Sequence, residues 1–226
     1  MTVTFPASPD EAIVLQERLR DQVRVDVPLP APPALVAGVD VAYADSEDAE
    51  GLVAGAIVVL DAATLKVVES ASLVGRAEFP YVPGLLAFRE LPTLLRIWEG
   101  LRHRPDVVVC DGYGVAHPRR FGLACHFGLL TGVPAFGVGK TAFVGSHAPV
   151  GDSRGDSADL VFEGDVVGRA LRTRTGVKPV YVSAGHLIDL DGACSVTLSL
   201  TSGYRLPETT RQADRLSRDA LRAAVP

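Results

Sequence analysis

Asp40 lies inside the apolar stretch LVAGVDVAY, between Val39 and Val41, and Asp111 closes the run DVVVC where it opens into DGYG. A carboxylate in so apolar a setting is costly unless something pairs with it. Taken alone, Asp40 reads either as the partner of an arginine or as a group facing a metal or a site. Asp111 reads either as an Asp-Gly turn former or as an acid at the strand edge where open α/β folds build their sites. Two such aspartates at the ends of neighbouring strands suit a hard divalent ion, because magnesium takes one or two protein carboxylates and fills its octahedron with water and phosphate. Glu90 and Asp214 are acids that could join them, although each singly reads as a surface charge. Zinc spacing is absent: His103, His117, His126, His147 and His186 form no HxxxH pair, and Cys110, Cys125 and Cys194 are isolated.

PAFGVGKTAF raises a second chemistry, since Gly-Lys-Thr after an apolar strand is how a nucleotide-binding P-loop ends. That loop needs a glycine five residues before Gly139, and the chain has Pro134 there. Proline offers no N–H and fixes its own φ, so no amide nest forms. Lys140 therefore reads as a cation near the strand-end acids, facing a phosphate that is not a nucleotide's.

These residues need a scaffold, and the rest of the chain describes one. Ser8, Pro9 and Glu11 signal a helix start, and Ala12, Leu15, Leu19 and Val23 keep helical spacing. VPLPAPP is an extended connector. Segments 35–43, 52–60 and 65–73 read as strands, the last two joined through DAAT, hence an antiparallel meander. Segment 85–101 is helical in period, with Pro92 expected to break it in two. DVVVC is a short buried strand. HPRRFGLACHFGLLTG is a helix expected to start near Pro118 and stop at Gly132. VPAFGVG, 166–172 and 179–183 read as strands, 193–200 as strand or helix, and a terminal helix begins near Pro207. The expected fold class is α/β, one domain over residues 1–226, with a mixed sheet of antiparallel meander plus parallel strands flanked by helices.

Composition sets the outer limits. The 226 residues are 47% apolar, enough for a substantial core. Mean hydropathy is +0.23, yet the longest apolar run, GLVAGAIVVL, is far short of the ~20 residues a membrane span requires. The N-terminus shows no secretory pattern and the cysteine count is odd, so a cytoplasmic protein with reduced thiols is expected. A net charge of −5 argues against broad adhesion to nucleic acid but leaves room for local basic surfaces. The positives are clustered: Arg119 with Arg120; Arg169, Arg172, Arg174 and Lys178; and Arg205, Arg211, Arg215, Arg218 and Arg222. Each cluster alone reads more readily as a solvated face than as a binding site.

Five segments in order, AGVDVAY, FPYVPGLLAFRELP, DGYGVAHPRRFGLACHFGLLTGVPAFGVGK, YVSAGH and GYRLPETTRQAD, resemble the endonuclease V family of deaminated-base repair nucleases. They span residues 37–214. The resemblance implies an RNase H-like fold and an acidic catalytic site of Asp40, Glu90, Asp111 and Asp214 with Lys140 beside it. Asp40 and Asp111 are the implied ligands of Mg²⁺, with Mn²⁺ as a substitute. It also implies a wedge at PYVP, with Tyr81, Val82, Pro83 and Gly84 against the substrate, where Tyr81 and Phe79 would otherwise read as core aromatics. Gly112 and Gly114 of DGYG suit a tight pocket for an extruded base, although Tyr113 stands where the family has a small or polar residue. HPRR places arginine at an expected helix N-terminus, which is unfavourable with the dipole unless a phosphate is near, so His117 and Arg119 read as phosphate-binding or supporting residues. His126 reads as an interior histidine, and His186 as a candidate to orient substrate or a water. The implied activity is Mg²⁺-dependent hydrolysis of inosine-containing DNA at the second phosphodiester 3′ to the lesion by a monomer. A nuclease acting mainly on inosine in RNA and a non-catalytic inosine-binding protein are the alternatives, and the acids argue against the latter.

Overall fold

The computed structural model describes residues 5–44 and 51–224. The chain begins with α1 (Pro9–Arg20), capped as expected: the Ser8 hydroxyl accepts the Glu11 N–H at 3.3 Å, and Glu11 Oε2 accepts the Ala7 N–H at 3.0 Å. β1 (Leu35–Tyr43), β2 (Leu52–Asp61) and β3 (Val67–Arg76) follow, then α2 (Leu86–Gly100), β4 (Val107–Asp111), α3 (Leu123–Thr131) and β5 (Ala135–Gly139). The remainder is β6 (Ser157–Phe162), β7 (Asp165–Leu171), β8 (Val180–His186), α4 (Leu190–Ser199) and α5 (Glu208–Ala224). Among the described residues the eight strands form one sheet in the order β3-β2-β1-β4-β5-β8-β7-β6. β1 pairs antiparallel with β2 and parallel with β4, and β4 pairs parallel with β5. That half is the RNase H-like arrangement of meander and parallel strands. β8, β7 and β6 extend it antiparallel.

Alternation along the strands sorts the core into two layers. Ala37, Val39, Val41, Ile57 and Val59 pack with Leu91 and Leu94 of α2 and Phe127 of α3 on one face. Val36, Val58, Val107, Val109, Phe136 and Val138 pack with Val196 of α4 and Ala213 of α5 on the other. Asp40 and Asp111 are in phase with this second set. The β1–β4 register runs through Val39 opposite Cys110, so the next step brings Asp40 beside Asp111. The β4–β5 register sets Val138 opposite Asp111, and Lys140 follows two residues later. The acids thus emerge on the α5 face at one end of the sheet because apolar partners fix every position behind them.

Several sequence expectations are corrected. Pro92 does not split α2, which runs unbroken from Leu86 to Gly100. A helix-interior proline costs about 3 kcal/mol, but α2 also buries Phe88, Leu91, Leu94 and Ile97, each contributing about 1.5–3 kcal/mol. α3 starts at Leu123 rather than near Pro118, so Arg119 and Arg120 stand before it and raise no dipole conflict. Gly132 does stop it, at φ 70°. Segment 193–200 is helical through Ser199 of α4, with Leu200 as its C-cap, and β6 has no counterpart among the expected strands. Cys110, Cys125 and Cys194 are buried and free.

Candidate active site

Asp40, Asp111 and Asp214 each offer a carboxylate oxygen within 4.8 Å of the others. Asp40 lies inside β1, three residues before its end, Asp111 closes β4, and the third comes from α5, which packs flat on β1 because Gly38 has no side chain. A Cβ at Gly38 would overlap the Thr209 backbone. Burial pushes the Asp40 carboxyl up to about 6; a hydrogen bond from Ser217 opposes that, while the Asp111 and Asp214 charges add to it and Lys140 subtracts. Ser217 Oγ donates to Asp40 Oδ2 at 2.5 Å from a fully buried position on α5. Arg218 grips Asp214 with two hydrogen bonds of 3.1 Å.

Lys140 Nζ lies 2.7 Å from Asp111 Oδ2. Burial alone would lower the ammonium pKa, but the hydrogen bond and charge of Asp111, with Asp214 and Asp40 behind it, raise it and keep the lysine charged. The Arg205 guanidinium holds the Lys140 carbonyl at 2.6 Å and the Pro179 carbonyl at 2.8 Å, fixing the backbone from which Lys140 projects. Glu90, from α2, lies near Asp40 and Asp111 and shares a cavity with Asp111. Burial pushes its carboxyl up to about 8, against a hydrogen bond from Tyr43 and with repulsion from Asp40 and Asp111. The Tyr43 hydroxyl donates to Glu90 Oε1 at 2.9 Å. Burial and the Glu90 charge hold that phenol well above its ordinary pKa, so it stays a donor.

The donor set fits a hard divalent cation. All three clustered groups are carboxylates, without histidine or cysteine, and such oxygen donors suit a hard cation. Burial first, and the neighbouring acids behind it, disfavour the charged forms of Asp40 and Glu90, and a bound cation would favour them again.

Next to the acids, a cavity of about 200 Å³ is lined by Tyr81, Val82, Pro83, Gly84, Glu90, Asp111, Gly112 and Tyr113, among others. Its rim is the Pro80–Gly84 loop. Tyr81 is 70% exposed, so it projects from that loop, whereas Phe79 is buried. The loop is held at one atom: the Gly84 carbonyl accepts from His117 Nε2 at 2.9 Å, Arg119 Nη2 at 2.8 Å and Gln16 Nε2 at 3.0 Å. Gly84 has φ 80°, and a Cβ there would press on Arg119 and His117. The far wall is the Tyr113 ring, stacked on Phe143 at 5.2 Å with its hydroxyl donating to the Thr141 carbonyl.

A family model for endonuclease V matches residues 17–215. The chain belongs to the endonuclease V family. Endonuclease V of Nocardia farcinica is 59% identical over 223 residues, covering 99% of this chain and 97% of that one. The crystal structure of endonuclease V from Streptomyces avermitilis superposes with a TM-score of 0.93 at 55% identity, over 99% of this chain and 97% of the other. Endonuclease V of Ciona intestinalis, crystallised with a 24mer DNA containing an inosine followed by a ribo-adenosine, superposes with a TM-score of 0.82 at 27% identity, over 96% and 98%.

Set in this endonuclease V frame, the sequence-predicted residues divide. Asp40, Asp111 and Asp214 converge, and Lys140 joins them. Glu90 is turned toward Tyr43 and the cavity. Gly112, with φ 149°, lines the cavity, whereas Gly114 serves packing: a Cβ there would collide with the Ala184 carbonyl, and its N–H donates to Ser183 Oγ at 2.8 Å. His117 and Arg119 are engaged with the Pro80–Gly84 loop rather than open to a phosphate. His117 Nδ1 accepts the Arg119 N–H at 3.2 Å, so Nε2 carries the proton given to Gly84. Burial and the Arg119 charge push that histidine down to about 4. His126 is an interior histidine among Phe5, Phe88 and Phe121. His186 does not reach the acids: it pairs across the sheet with Ala135, at the end of β5 remote from Lys140. Sequence reasoning missed Ser217, Tyr43, Gln16, Arg205 and Phe143.

Proposed function

We propose that the whole chain is one nuclease domain that extrudes deoxyinosine from DNA and hydrolyses the second phosphodiester 3′ to it, using Mg²⁺ or, in its place, Mn²⁺. The observation that carries this is the sharing of Asp111 between the carboxylate cluster and the adjoining cavity: recognition of a base and chemistry on its strand meet at one residue. The relative from Ciona intestinalis, with inosine in its bound DNA, supports the base assignment.

Asp40 and Asp111 would hold the metal, with Asp214 beside them. When bound, the ion polarises the scissile phosphate and lowers the pKa of water. Lys140 sets a permanent positive charge beside Asp111, where negative charge grows on the phosphate. Glu90, kept in place by Tyr43, faces the cavity and orients water and substrate there. Tyr81 presents its ring to the gap left by the extruded base, and the prolines beside it stiffen that contact. Inosine pairs poorly with thymine, so its extrusion costs less than that of a matched base. Hydrolysis adds water across one P–O bond: oxygen from water joins phosphorus, the 3′ oxygen leaves and takes a proton, and the products are a 3′-hydroxyl and a 5′-phosphate.

The test is an end-labelled inosine strand incubated with and without Mg²⁺, alongside an adenine control and a ribo-inosine competitor. A single metal-dependent product beyond the inosine is expected, absent for Asp40→Ala and Asp111→Ala, both of which still bind the lesion. Binding with no metal-dependent product would overturn the nuclease assignment. Stronger competition by the ribo-substrate would move the natural substrate to RNA.

A further inference from the structure

Sharing Asp111 with the base-sized cavity, a second, open groove of about 670 Å³ begins at Asp111, Lys140 and Asp214 and runs along α5 past Tyr204, Arg211 and Arg215. α5 turns Thr210, Ala213, Ser217 and Leu221 into the core. Its other face carries Arg211, Arg215, Arg218 and Arg222 at steps of four, three and four, four cations against the three carboxylates Glu208, Asp214 and Asp219 that pair with them. The Arg211 guanidinium lies 3.4 Å from the Tyr204 ring centroid, and that ring is 54% exposed. Arg215 is 81% exposed, with its carboxylate neighbour Asp219 only at 3.8 Å. Arg211 also holds Glu208 at 2.6 Å; a stacked aromatic–guanidinium pair followed by an exposed, loosely paired arginine is a surface for bases and phosphates in succession.

We infer that this groove carries the strand 3′ of the scissile bond. The inference rests on the proposed activity, since it takes the cavity to hold the inosine. Asp111 lies between cavity and groove. A strand with its inosine in the cavity and a cut bond on its 3′ side at the acids leaves through this groove, with Arg211 and Arg215 on downstream phosphates, rather than through the depression at Asp40 and Arg222, which offers no exposed ring. The cavity selects the lesion, and the groove sets the polarity in which the strand is threaded.

The test is a binding cycle in EDTA, so that no strand is cut. Single-stranded inosine oligonucleotides differ only in the 3′ arm, which stops just past the scissile bond or continues well beyond it, and a second pair differs only in the 5′ arm. For the unaltered protein, 3′ extension raises affinity and steepens its salt dependence. In the doubly substituted Arg211→Gln, Arg215→Gln protein that gain disappears, and the slope of log K against log salt on the long substrate falls by about 1.4, about 0.7 for each lost phosphate contact. The gain from 5′ extension and the preference for inosine over adenine stay as they were. Retention of the 3′ gain by the variant, or loss of the 5′ gain instead, would overturn the inference. Absence of any inosine preference in the unaltered protein would instead sink the reading of the cavity.

Discussion

Replacing Ser217 with alanine removes one oxygen from the core of α5 and leaves Asp40 Oδ2 without its 2.5 Å donor. The serine is fully buried, so water does not fill the gap, and alanine fits the space. A hydrogen bond to a charged group contributes about 1.5–3 kcal/mol. At about 1.4 kcal/mol per tenfold change, its loss corresponds to metal binding weaker by roughly ten- to a hundredfold. Residues that orient metal ligands from behind set affinities by about the same factor. Calorimetric titration of the metal-free protein with Mn²⁺ measures the affinity directly. The Mg²⁺ concentration giving half-maximal cleavage should rise in proportion, while the rate at saturating Mg²⁺ recovers most of its original value. The melting temperature should fall without metal and regain part of the loss as metal is added, because an ion that binds only the folded chain stabilises it. An unchanged Mn²⁺ affinity in a well-folded variant would refute the reasoning. So would a cleavage defect that no metal concentration repairs, which would place Ser217 in the chemistry rather than behind a ligand.

Gly38→Ala should destabilise the protein by about 1–3 kcal/mol, since the new methyl meets Thr209 backbone that cannot swing aside; Mn²⁺ affinity should fall with it, because α5 carries both Asp214 and Ser217. Tyr81→Ala should leave the melting temperature nearly unchanged, the ring being exposed, yet cost about 1–3 kcal/mol of lesion affinity in a binding assay. Glu69 accepts the His103 N–H at 2.8 Å and the Arg102 N–H at 3.1 Å, and these bonds, the His103 amide first, hold its carboxyl down at about 2 against the pull of burial. Its contribution is therefore complete above about 4.5 and lost as pH falls toward 2. The melting temperature of Glu69→Gln should lie below that of the unaltered protein at neutral pH, and the gap should close across that window.

The parts of the fold legible in sequence are those whose signal is local. β1, β4 and β5 are continuous apolar runs, and a run buried on both faces has few alternatives to a central strand. Asp40 and Asp111 stood out for the same reason, as charges where burial forbids them. The misread boundaries are where distant contacts decide. Pro92 stays inside α2 because the sheet buries the helix around it. The helix expected at Pro118 is delayed to Leu123 because Arg119 and His117 are drawn to the Gly84 carbonyl, far away in sequence. β6, with the burial of an edge strand, shows only one fully buried side chain, Leu160, and its pattern is correspondingly faint.

The missed site residues share a trait that points to where such groups lie in a sequence. Ser217 occupies the α5 stripe between Ala213 and Leu221, and Gln16 follows Ala12 by four on the buried side of α1. Both are polar groups on an apolar face, and a polar group there costs stability unless it finds a partner. Their partners are the clustered carboxylate of Asp40 and the carbonyl of Gly84 at the cavity rim. Tyr43 does the same from the end of β1, with its hydroxyl on Glu90. A chain that places hydroxyls and an amide where methyls would pack better is using its helices to aim groups at the site. Helical spacing then identifies those residues before their partners are known, as the positions where the apolar period holds but the residue type breaks it.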